Sequence, residues 1–193
     1  MTQNFLRRVL PIIAIAIPAT VHAHPGHGIS DVSAGLMHPL LGADHLLAMI
    51  AVGLLGAQLG GRSRWALPSA FVGSLAVGAV LGAAGIAMPG MEHGIALSVL
   101  VLGAILAFAL RLSLPVAAGL MAVCGLFHGA AHGVEMPADA TGALYGAGFI
   151  AASIALHIAG VALGQSAIQT SRASWLRYAG AAVAVVAVGM FLS

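Results

Sequence analysis

Six apolar runs, each long enough to cross a bilayer, occupy nearly all of the chain beyond residue 32. A spanning helix needs about 20 mostly apolar residues. The segments at roughly 33–59, 66–87, 92–112, 114–134, 141–164 and 174–192 meet that requirement. The joints between them carry helix breakers: Gly60-Gly61-Arg62, Met88-Pro89-Gly90, Leu114-Pro115, Met136-Pro137 and the polar run from Gln165 to Ser174. Only 6% of residues are charged, against about 25% in soluble domains. That is too little charge to solvate a globular surface. The expected fold is therefore all-α, a polytopic membrane helix bundle of six transmembrane helices in the lipid bilayer. The 193 residues leave no room for a separate soluble domain.

The first 23 residues read differently. MTQNFLRR is a basic opening, VLPIIAIAIPAT is a short apolar core, and Val21-His22-Ala23 fits the small-x-small cleavage rule. Residues 1–23 are expected to be a cleaved signal peptide, leaving residues 24–193 as the six-helix permease domain. Pro11 and Pro18 argue against a retained spanning helix. The mature chain would begin His24-Pro25-Gly26-His27, with a free amine and two imidazoles. Two readings of that tail stand side by side: a metal-collecting tip, or a solvated end with incidental histidines.

Arginine placement sets the orientation, because cytoplasmic joints collect positive charge. With the N-terminus outside, the inner joints hold Arg62 and Arg64, Arg111, and Arg172 and Arg177. The outer joints hold Glu92, Glu135 and Asp139 and no arginine. Six spans divide into two sets of three with opposite orientation. A 3+3 inverted repeat would make span 1 the counterpart of span 4, a common transporter plan. Gly125, Gly129 and Gly133, and Gly142 and Gly146, recur every four residues as in close helix packing.

Against this apolar background the polar residues stand out. Nine histidines outnumber either charge class. In span 1, His38, Asp44 and His45 would lie on one continuous helix, with the histidines two turns apart on one stripe and Asp44 offset by about 100°. Pro39 suits a first helical position or a kink. In span 4, His128, His132 and Glu135 fall at i, i+4 and i+7 and share a face. The depth of His128 matches that expected for Asp44, so the two groups would meet at one level. Ionisable residues inside a membrane are costly and mark functional sites. Imidazole with carboxylate suits a borderline divalent metal such as nickel, cobalt, zinc or iron. Met49, Met37, Met88, Met91 and Met136 keep copper in view. His157 in span 5 is a candidate relay, and Glu92 with His93 a candidate vestibule. Either histidine taken alone reads first as a strut that hydrogen-bonds between helices.

These residues together resemble the HupE/UreJ family. The resemblance rests on His24-Pro25-Gly26-His27, on His38-Pro39 followed by Asp44-His45, and on Phe127-His128-Gly129 followed by His132-Gly133 and Glu135. It covers essentially the whole chain. It implies a nickel (sometimes cobalt) permease of the bacterial inner membrane that accompanies hydrogenases and ureases, with its mature N-terminus outside the cytoplasm. It further implies a core metal-binding role for His38, Asp44 and His45, with His128, His132 and Glu135 as a second cluster. Cytoplasmic nickel chaperones are the implied downstream partners.

Other function classes fit less well. No GxxxxGK[ST] loop for ATP is present and no HExxH metalloprotease motif, so no enzyme activity is expected. No basic cluster exceeds two residues, so nucleic acid is not an expected partner. The lone Cys124 gives neither disulfide nor CxxC site. Nickel or cobalt is expected as cargo, with no prosthetic group. The competing readings are a b-type haem electron carrier, which also uses membrane histidines, and a metal-binding membrane protein that does not transport. Ligand histidines must be neutral, so uptake is expected to fail at acidic pH.

Overall fold

The computed structural model describes residues 32–86, 88–136 and 140–192, so the segment 1–23 expected to be a signal peptide and the tail histidines His24 and His27 lie outside the described residues. Among the described residues seven helices follow one another: α1 (Val32–Leu41), α2 (Ala43–Leu59), α3 (Ser63–Ala83), α4 (Met91–Phe108), α5 (Leu114–Glu135), α6 (Ala140–Gln169) and α7 (Ser174–Leu192). No strand occurs among the described residues. Five helices, α3 to α7, are each long and apolar enough to cross a membrane. α1 and α2 pass the same test only as a pair, bent by 81° at their junction.

That bend corrects the expectation of one continuous helix over 33–59. Pro39 lies inside α1 and has no N–H to donate to the carbonyl one turn back. α1 closes with Gly42 N–H donating to the His38 carbonyl at 3.1 Å. α2 then opens with Leu46 N–H donating to the Gly42 carbonyl at 2.9 Å. Gly42 itself is extended, at φ −80 and ψ 113. One extended residue between two helical hydrogen-bond ladders turns the chain nearly through a right angle. His38 therefore ends one helix, while Asp44 and His45 lie in the first turn of the next. On a continuous helix a seven-residue spacing would separate the histidines by about 10.5 Å along the axis. Across the bend their ring centroids are 6.5 Å apart.

At the other end of α2, Gly60 and Gly61 take left-handed φ values of 73 and 52, which a side chain resists. They reverse the chain tightly into α3. Pro115 sits in the first turn of α5, where its missing N–H costs nothing.

Lipid offers no hydrophobic drive between helices, so close backbone packing does that work. α3 and α5 run parallel. Gly125, Gly129 and Gly133 of α5 meet the backbones of Phe71, Leu75 and Ala79, while Gly78 and Gly82 of α3 meet Leu126 and Ala130. α2 and α6 are likewise parallel, with Gly53 against His157, Gly160 and Val161. α1 crosses α6 where Gly35 meets Tyr145 and Phe149. α4 and α7 run antiparallel, Gly103 against Gly180 and Ala184. The first glycine pattern expected from the sequence thus packs helices together. Gly146 of the second does not: a Cβ there would meet only Met136 Sδ, at 3.4 Å. The glycines of α6 that admit a neighbouring helix are Gly148, Gly160 and Gly164.

The core is apolar and continuous, from Met49, Val52 and Leu55 through Leu67, Phe71 and Leu75 to Val99, Leu102 and Met121. His45, His128, His132 and His157 are buried within this bundle.

Candidate metal site

Four imidazoles gather where the α1–α2 bend meets α5. His45 lies 4.1 Å, centroid to centroid, from His132 and 4.6 Å from His128. His38 lies 4.5 Å from His132. All three contacts are edge-to-face. The two polar groups seen in the sequence therefore share one site. The i, i+4 spacing places His128 and His132 on one face of α5, and the bend folds His38 and His45 onto it.

Two of the rings, His45 and His128, are held by one nitrogen each. The Asp44 carboxylate Oδ1 accepts from both the backbone N–H and Nδ1–H of His45, each at 2.8 Å. It thereby serves an orphan N–H of the first turn of α2 and orients the imidazole. His45 Nε2 is left as the lone pair; it is buried and has no hydrogen-bond partner in the protein. The Ser98 hydroxyl donates to the Ile95 carbonyl at 2.7 Å and lies 2.7 Å from His128 Nε2. A hydroxyl has one proton, so His128 Nε2–H donates to Ser98 and Nδ1 carries the lone pair. That Nδ1 is also buried without a partner. Both ring nitrogens of His132 are in the same state.

Glu135, at the end of α5, lies 3.5 Å from His38 Nε2 and 3.6 Å from His132 Nδ1 through Oε2. These are ion contacts beyond hydrogen-bond length. Glu135 is the exposed member of the group. One ligand atom from each of His38, His132 and Glu135 falls within 4.8 Å of the others, a spacing at which one ion touches all three.

A buried polar atom without a partner costs about 1–3 kcal/mol. Here several unpartnered nitrogens lie on neighbouring rings, flanked by aromatic walls. Phe149 packs at 4.1 Å from His132, and Tyr145 lies 5.9 Å from His38. This donor set, neutral imidazoles with one carboxylate at the rim, suits a borderline divalent cation.

The remaining candidates lie elsewhere. Asp44 reaches the imidazoles through His45. Its side chain also lines a cavity of about 440 Å³ with Glu92, His93 and Phe191, which joins the starts of α2 and α4 to the end of α7. His93 packs against Phe191 at 5.5 Å and does not touch the four-histidine group. His157 lies beyond Phe71, whose ring is 5.5 Å from His128 and 5.1 Å from His157.

Ser98, Tyr145 and Phe149 were not singled out in the sequence. Tyr145 and Phe149 are four residues apart and so share a helix face. Ser98 is a lone hydroxyl in an apolar span. Both signals exist but are common in membrane helices that bind nothing.

No solved structure matches this chain. The protein HupE of Rhizobium leguminosarum bv. viciae is 42% identical over 181 residues, which cover 94% of this chain and 95% of that one. The HupE / UreJ protein family matches residues 12–190. With that match over nearly its whole length, the chain belongs to the HupE/UreJ family.

Proposed function

We propose that this protein is a secondary permease for Ni²⁺ or a similar divalent transition metal such as Co²⁺, supplying the maturation of hydrogenase or urease. The observation that carries the reading is the His38, His132 and Glu135 group, whose ligand atoms lie within 4.8 Å of one another, packed against the rings of His45 and His128 with their buried unpartnered nitrogens. A cation held by His38, His132 and Glu135 would have the unpartnered rings of His45 and His128 as its next neighbours. Membership of the HupE/UreJ family supports a nickel-related accessory role. The close edge contacts among the rings leave no flat slot for a macrocycle, which favours a bare ion over haem.

In this reading the mature N-terminus lies outside the bacterial inner membrane after cleavage of residues 1–23. His24 and His27 collect the ion near the acidic rim. The ion sheds water against Glu135 and the imidazoles. Asp44 has two tasks: it fixes His45 with its lone pair inward, and its negative charge offsets the cation in a poorly solvating medium. The membrane potential contributes about 4.6 kcal/mol per 100 mV to a divalent ion crossing fully. Cytoplasmic nickel chaperones receive the ion.

The helix pairing supports a 3+3 inverted repeat. Exchanging spans 1, 2 and 3 for spans 4, 5 and 6 turns the pair of spans 1 and 5 into spans 4 and 2. The pair of spans 3 and 6 maps onto itself. These are the glycine-mediated pairs of the bundle. The bend at Gly42 has no counterpart in α5, so the site itself is asymmetric.

The test is uptake of ⁶³Ni into proteoliposomes, with unlabelled cobalt, zinc and copper as competitors. Saturable nickel uptake that Asp44→Asn abolishes, while the variant still inserts and purifies normally, is the expected result. Binding without uptake by the wild type would leave a metal-binding membrane protein that does not transport.

A further inference from the structure

We propose that the groove between α3 and α6 at the arginine end of the bundle binds an anionic phospholipid, with an acyl chain in the groove and the phosphate on Arg62 and Arg64. The proposal stands apart from the permease reading and holds whether or not the protein transports.

The groove exists because the glycines of both helices turn to other neighbours. Gly78 and Gly82 of α3 meet α5, while Gly148, Gly160 and Gly164 of α6 meet α1 and α2. Along the seam between α3 and α6 two grooves follow one another. One, of about 360 Å³, is lined by Ala76, Ala79 and Val80 of α3 and by Ala147 and Ile150 of α6. The other, of about 370 Å³, begins one turn away, with Trp65, Pro68 and Val72 of α3 and Ile154 and Ile158 of α6. Trp65, Ile154 and Ile158 are 62%, 43% and 51% exposed, so this second groove opens sideways on the outside of the bundle. Its mainly apolar walls give water few partners, and left empty they would forfeit dispersion contacts. In a membrane an acyl chain meets both needs. It would also cover His157, which lies in the groove's inner wall, and close the seam against water.

Charge selects the lipid. Arg62 caps the start of α3, and Arg62 and Arg64 stand one turn before Trp65 and Pro68, at spacings of three and four residues that share a helix face. Both arginines are exposed. The acids among the described residues, Asp44, Glu92 and Glu135, lie at the opposite end of the bundle, so no carboxylate there competes for the guanidiniums. An arginine lays its stem along apolar surface and carries its head to the interface, where the guanidinium fork matches a phosphate. Trp65, between the two, is the residue type that settles at headgroup level. The first groove has similar walls, but the outer joints hold no arginine. It takes a chain without choosing a headgroup.

The chain has two tryptophans, Trp65 and Trp175. In full-length Trp175→Phe protein the fluorescence of Trp65 therefore reports on the groove alone. Reconstituted in phosphatidylcholine vesicles, this protein is titrated with phosphatidylglycerol or phosphatidylcholine whose acyl chains carry bromine, a contact quencher. Half-maximal quenching is expected at about a fivefold lower fraction of the brominated phosphatidylglycerol, roughly the worth of one arginine at an anionic surface. The difference is expected to vanish in Arg62→Gln/Arg64→Gln and to shrink at high salt. Equal quenching by the two lipids would overturn the proposal, since Trp65 would then face unselected lipid. A preference that survives loss of both arginines would overturn it as well. So would protection from both lipids, which would give the groove to a second copy of the chain or to another helix. Ser69→Phe covers a failure of the arginine variant to insert. Its ring fills the groove that Ser69 lines and is expected to abolish the preference with both arginines in place; an unchanged preference would put the lipid elsewhere.

Discussion

At the scale of single residues, the site depends on which nitrogen of each imidazole keeps its proton. Two small partners settle this for two rings: Asp44 for His45 and Ser98 for His128. Losing such a partner typically costs 10–100-fold in metal affinity. Ser98→Ala removes the acceptor from His128 Nε2–H and frees the ring to present either nitrogen. It is expected to weaken nickel binding about tenfold or more, with little change in thermal stability, since one hydrogen bond is worth about 0.5–1.5 kcal/mol. Isothermal titration beside a melting curve separates the two effects. Equal affinity in wild type and variant would show that Ser98 does not orient the ring. The histidines, Asp44 and Glu135 were legible in the sequence, because ionisable groups in apolar runs need a reason to be there. Ser98 was not, because serine in a membrane helix commonly bonds the carbonyl one turn back, as it also does here toward Ile95.

At the scale of helices, hydropathy revealed where the chain crosses but not where a crossing breaks. The run over 33–59 is apolar throughout, and one glycine three residues after a proline does not interrupt it. The bend at Gly42 nonetheless builds the site, by setting His38 and His45 against the same face of α5. Packing then constrains the glycines. A Cβ at Gly42 would lie 3.0 Å from Asp44 Oδ1 and 3.4 Å from His45 Nδ1, pressing on the pair that orients the ring. A Cβ at Gly129 would lie 2.7 Å from the backbone carbon of Leu75, which cannot give way without parting α3 from α5. Gly42→Ala is therefore expected to reduce uptake several-fold while the helices stay packed. Gly129→Ala is expected to destabilise the bundle by about 1–3 kcal/mol, the usual range for overpacking, and to displace His128. Thermal unfolding in detergent ranks the two; Gly42→Ala proving the less stable would contradict this division between site and scaffold.

At the scale of the whole molecule, charge and helix direction agree without reference to the site. Arg62 and Arg64, Arg111, and Arg172 and Arg177 all fall at joints on one end of the bundle, and Arg177 Nε donates to the Ala107 carbonyl there at 3.0 Å. Glu92, Glu135 and the α1–α2 bend fall at the other end. This alternation was readable from the sequence, because it needs only the order of spans and the position of each arginine. The pairing of α2 with α6 and of α3 with α5 was not readable, since parallel partners are joined by no short loop. Orientation in the membrane is then a single binary question. Cys124 is buried and is the chain's lone cysteine, so introduced thiols report their own positions. Ile86 is 52% exposed at the acidic end, and Ala173 is exposed at the arginine end. With a membrane-impermeant maleimide, Ile86→Cys is expected to label in intact spheroplasts and Ala173→Cys only after lysis. The reverse pattern would turn the arginines outward. The four-histidine site would then face the cytoplasm, and an ion captured there would leave toward the outside, making the protein an exporter rather than a supplier of metal.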